Sequence, residues 1–231
     1  AVILAVWRLF GLIAFFLSSP KEENAIGEKT RQVRFVSIFQ SRMFILYFIS
    51  WFIFSLLDSF EQTVISNFLE PNLYSMMITV DVATSAIFVF IAGVLADRIG
   101  RKKVVIYGFI ALGLAYALVG IGSTITFSWY LFSLIHGAAW GIFMVTFVLL
   151  LWGDQAPLGF REKYYAIGNI PFFAAEIIRI ATIPYVALIP AFASFSLASF
   201  FLFLAVLPLM YASETLPEKK IELRRLKKYV E

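Results

Sequence analysis

Long apolar runs separated by short polar connections limit this chain to very few folds. The runs fall at about 1–18, 43–65, 73–96, 104–122, 127–152, 165–189 and 191–212. As helices rising about 1.5 Å per residue, most can cross a hydrocarbon layer of roughly 30 Å; the run at 1–18 is marginal. Within lipid every backbone N–H and C=O must find a partner in the protein, and continuous apolarity lacks the two-residue alternation of a barrel strand. The expected fold is therefore all-α and polytopic, with seven transmembrane helices. Composition agrees, because 61% hydrophobic against 15% charged residues lies outside the range of ordinary soluble domains.

Charge patterning orients the helices. Lys and Arg concentrate at 21–42, 97–103, 154–163 and after 214, whereas the connections at 67–72, at 122–127 and around Pro190 contain neither. The two sets alternate, so apart from Arg8 and Arg179 every basic residue falls on one side, which the positive-inside bias makes cytoplasmic in a cell membrane. A formal charge of +4 distributed in this way points to lipid headgroups and gives no reason to expect nucleic acid. The absence of Cys removes disulfides, thiolate metal sites and cysteine nucleophiles. Ala1 already lies inside an apolar run with no basic leader before it, which leads us to expect further sequence upstream.

The most distinctive polar segment is "GVLADRIGRKKV" at 93–104. Gly93 permits close backbone approach and Gly100 can end a helix. Asp97 lies among Arg98, Arg101, Lys102 and Lys103, and can accept from a helix start or pair with an arginine. The plain alternative is a basic anchor that fixes topology on anionic lipid. The order of residues goes further: it resembles the G-x-L-a-D-r-x-G-r-k signature loop of the major facilitator superfamily at every strongly specified position. "DQAPLGFREKYYAIG" at 154–168 is similar to the loop after the fourth helix of a family half, with Arg161 and Gly168 at its arginine and glycine, and "SETLPEKK" at 213–220 resembles the segment after the twelfth helix.

The resemblance implies an organisation. Residues 1–18 would be the last helix of an N-terminal half, 19–42 a cytoplasmic linker, 43–212 a six-helix C-terminal half, and 213–231 a cytoplasmic tail, amphipathic beyond Leu216. The N-terminal half would be supplied by the same chain or by a partner. The resemblance also implies that Asp97 helps to hold one arrangement of the halves, with Arg98 and Arg101 as partners and Gly93 as a tight packing point.

Ionisable residues inside hydrocarbon are costly and tend to face cavities. Asp58 and Glu61, three apart on one helix face, and Asp81 are candidates for an acidic vestibule; each also has a bland reading, Glu61 simply reaching the surface. Glu176 and Arg179 are spaced for an internal ion pair, structural or substrate-reading, and Arg179 favours an anionic solute. His136 is the single histidine. With no Cys beside it and no acid at ligand spacing it makes no metal site by sequence, and a hydrogen-bonded packing role stands ahead of a proton relay. Gly137 and Gly141 form a G-x-x-x-G pair suited to close helix contact.

No G-x-x-x-x-G-K-S/T loop, H-E-x-x-H or nucleophile elbow is present, and the last helices have no Lys for a retinal Schiff base, so no enzymatic activity and no cofactor are expected. The expected function is a secondary active transporter moving a small solute by alternating access, coupled to a proton or solute gradient. The alternative is a receptor or assembly subunit on the same scaffold.

Overall fold

The structure is a computed structural model, and it describes residues 35–157, 159–186 and 189–216. Within them, six helices are long and apolar enough to cross a membrane: α1 (Arg42–Phe68), α2 (Pro71–Ile99), α3 (Arg101–Gly122), α4 (Thr126–Gln155), α5 (Arg161–Tyr185) and α6 (Ala191–Tyr211). No strand occurs among the described residues. The expected seventh helix at 1–18, most of the linker and the amphipathic tail beyond Leu216 lie outside the described residues.

Local chemistry explains where the helices start and stop. Ser41 caps α1 by accepting from the Phe44 N–H at 3.4 Å. Pro71 opens α2, where its missing N–H is no loss. Gly100 alone separates α2 from α3, at φ +107°, a backbone conformation that an L side chain resists. Helix α5 is interrupted after Gly168, just before Pro171, and α6 after Leu204, four residues before Pro208. In both, the proline ring disfavours the helical geometry of the preceding turn. Helix α4 contains one π-helical stretch, Met144–Leu150.

Packing is tightest between α2 and α4. A Cβ on Gly141 would stand 2.7 Å from the Ser85 carbonyl oxygen and 2.9 Å from the Val89 nitrogen, and one on Gly137 would meet the Asp81 backbone. The G-x-x-x-G pair is thus where two backbones approach. Between α1, α3 and α4 lies an aromatic column: Trp51 stacks on Phe147 at 4.9 Å, Phe54 meets Phe143 at 4.6 Å, and Phe44 meets Trp152 at 5.0 Å. Ser199 of α6 donates to the Gly113 carbonyl of α3 at 2.7 Å, which replaces the water that lipid cannot offer.

Gly93 makes no close approach among the described residues. A Cβ there would find nothing within 4 Å, so the tight packing point implied for it is not formed among the described residues. The reason is its surroundings: Phe90 is 78% exposed and Val94 51% exposed on the same helix, and nothing described covers that side.

Candidate functional site

Two polar constellations stand out, one at a helix end and one inside the bundle. At the end, Arg101 is buried and ion-paired with Asp154 of α4, while Asp97 and Glu214 also act on its charge. The first turn of α3 needs acceptors for its free N–H groups. They come from Glu214, whose carboxylate accepts from Arg101 N–H at 2.9 Å and Lys102 N–H at 3.3 Å, and from Thr215 and Leu216 N–H. Lys102 reaches the other way and donates from Nζ to the Met210 and Ala212 carbonyls at the end of α6. Sequence reasoning placed the loop but missed Glu214 and Asp154. The signal for Glu214 was present in "SETLP", for Asp154 only in its closeness to the end of an apolar run. Arg98 is exposed.

Inside the bundle the structure gathers Asp58 and Glu61 from α1, Asp81 from α2 and His136 from α4. Imidazole Nδ1 lies 2.9 Å from Asp81 Oδ1, and Nε2 lies 3.3 Å from Asp58 Oδ1 and 3.6 Å from Glu61 Oε2. Trp140, one turn beyond His136, donates its indole N–H to Asp58 Oδ1 at 2.7 Å, and Phe132, one turn before, stacks on the imidazole at 5.3 Å. Helical spacing thus puts a hydrogen-bond donor and a flat apolar surface on either side of the histidine.

Asp58, Glu61 and His136 are each at most 9% exposed. Together with Asp81 they line a cavity of about 590 Å³ shared with Gln62, Tyr74 and the apolar side chains Ile78 and Val82. Among the described residues the lining contains no Lys or Arg. An acidic cavity of this kind favours a cation or proton, because the lowered dielectric strengthens the field of each carboxylate.

The three acids predicted to share a vestibule are therefore brought together, and His136 joins them. The sequence argument against a metal site, that no acid stood at ligand spacing, does not hold in space, because the acids arrive from two other helices. Donor atoms of Asp58, Glu61 and His136 all lie within 4.8 Å of one another.

Glu176 and Arg179 do pair, with Arg179 Nε donating to Glu176 Oε2 at 3.0 Å and an Nη2 contact to the other oxygen. They are not part of the cavity lining, and their side chains are 45% and 22% exposed. Arg179 thus has a carboxylate partner on its own helix, as the three-residue spacing led us to expect.

No curated protein and no solved structure matches the chain, whereas the family model described as Major Facilitator Superfamily matches residues 43–229. That match takes in all six described membrane-spanning helices except the first residue of α1, so the chain belongs to the Major Facilitator Superfamily, a family of membrane transporters.

Proposed function

We propose that the protein is a secondary active transporter working by alternating access, and that the Asp58, Glu61, Asp81 and His136 cluster binds the cation it moves or is driven by. The observation carrying this reading is a cavity lined by three carboxylates and an imidazole, with no Lys or Arg among its described lining residues. A buried acidic set binds a proton or cation more readily than an anion, and release follows when the cavity opens to the other face. The described helices form one wall; a second set, in the same chain or a partner, closes the other. The exposed apolar side chains Ile87 and Phe90 on α2 provide surface for it and for lipid.

Residues 1–231 contain no Cys, so a single thiol placed among them offers a direct test. The variant V82C places a thiol in the cavity wall at a position that is 61% exposed. In oriented vesicles a membrane-impermeant maleimide should label it from one face, and an imposed proton or cation gradient should shift labelling to the other. Labelling from one face under every gradient would remove alternating access from the account.

A further inference from the structure

We infer that the Asp58, Glu61 and His136 cluster is a binding site for a first-row divalent metal ion such as Zn²⁺ or Mn²⁺, which makes that ion the cargo or coupling ion of the carrier proposed above.

Internal hydrogen bonding does not account for the cluster. His136 has two ring nitrogens, and Nδ1 is taken by Asp81 at 2.9 Å. Nε2 faces two carboxylates, Asp58 at 3.3 Å and Glu61 at 3.6 Å, both longer than the 2.7–2.9 Å or so of a charge-assisted hydrogen bond. One N–H can serve only one of them. Glu61 is left 7% exposed, and its Oε2, aimed at the same nitrogen, accepts no hydrogen bond from the described residues. Such a buried oxygen calls for a donor or a cation that the described residues do not place within hydrogen-bond distance.

A metal ion fits that geometry. Bonds of about 2.1 Å at tetrahedral or cis-octahedral angles separate two donors by about 3.0–3.4 Å. The distances from Nε2 to Asp58 and Glu61 lie at or just above this range, so closing round an ion needs only small side-chain movement. Asp58 and Glu61 are one helical turn apart on α1 and face α4 together, while the cavity leaves the remaining positions open to water or to the route of entry.

The surroundings resemble the support that metal ligands require. With Asp81 on Nδ1, Nε2 points at the two carboxylates in a carboxylate–histidine–metal arrangement. The Trp140 N–H orients Asp58, and the Phe132 ring sets the imidazole plane. One imidazole with carboxylate oxygens suits borderline divalent ions. It is too poor in oxygen for Ca²⁺ and, in a chain without Cys, lacks thiolates for Cu⁺.

The test uses full-length protein purified in detergent and stripped of metal with a chelator, with Co²⁺ as a visible-absorbing probe. The expected result is one saturable equivalent of Co²⁺ with ligand-field bands, displaced by Zn²⁺ and not by Ca²⁺. E61Q, which disturbs no hydrogen bond among the described residues, should weaken binding about tenfold or more, and D81N by about 10–100-fold. H136N should abolish the ligand-field signature, and E70Q, an exposed acid elsewhere, should leave it unchanged. Failure of folded wild-type protein to take up Co²⁺ saturably, or equal affinity in wild type, E61Q and H136N, would overturn the inference. Either result leaves V82C labelling unaffected, so the metal reading can fail while the carrier reading stands.

Discussion

At the scale of residues, what could be read in advance depended on whether a side chain's partners lay on its own helix. Glu176 and Arg179 are three apart on α5 and their pairing was legible from spacing alone. His136 was not, because its acids come from α1 and α2, and no one-dimensional pattern records which helix faces which. The two glycines of α4 fall between these cases: their spacing announced a close contact without naming the partner. A graded prediction follows from their neighbours. At Gly141 an added methyl meets the α2 backbone, which cannot turn aside, whereas at Gly113 it meets the Phe203 ring edge at 3.1–3.3 Å, which can shift. G141A should therefore destabilise by about 1–3 kcal/mol, the range for overpacking a close contact, and G113A by less. Thermal unfolding in detergent should rank them in that order, and equal midpoints would show that the α2–α4 approach is not backbone-limited.

At the scale of elements, the runs of apolar residues located each described helix to within a few positions, but the ends were set by groups far away in sequence. The structure carries α1 to Phe68 and α2 to Ile99, past the expected 65 and 96, because polar residues at a membrane surface do not stop a helix until a cap or glycine does. The junction of α3 and α6 shows the principle. Glu214 caps the start of α3 while Lys102 caps the end of α6, so an acid follows one helix and a base opens the other, each meeting the partial charge of the opposite terminus. Removing the acceptor in E214A should cost about 0.5–2 kcal/mol and speed amide hydrogen exchange in the first turn of α3, at Arg101 and Lys102. E214Q keeps a carbonyl oxygen in place and should lose less. Unchanged exchange in E214A would mean that another group satisfies those N–H donors.

At the scale of the whole molecule, alternation of charge between connections was enough to assign the ends of the helices to two sets, and the contacts place them accordingly. Gly100 lies with Glu214, Arg101 with Asp154, and Lys102 with Ala212, so the α2–α3, α4–α5 and post-α6 segments share one end. Phe68 packs on Trp129, whose indole donates to the Ser123 carbonyl, so the α1–α2 and α3–α4 turns share the other. This pairing is what an odd–even order of spans requires, but it leaves open which end meets the cytoplasm. Only the distribution of Lys and Arg speaks to that, through the cost of moving basic connections across the membrane. The expectation is that K103C, beside the Gly100 turn, reacts with an impermeant maleimide only in inside-out vesicles, and that N72C and S123C react only in intact cells. Reaction of all three from one side would contradict the helix order itself, whereas a complete exchange of sides would keep the fold and reverse its insertion. The second outcome would put the basic ends outside, where no anionic inner leaflet would attract the exposed Arg98 and Lys103, and would leave the charge pattern without its physical cause.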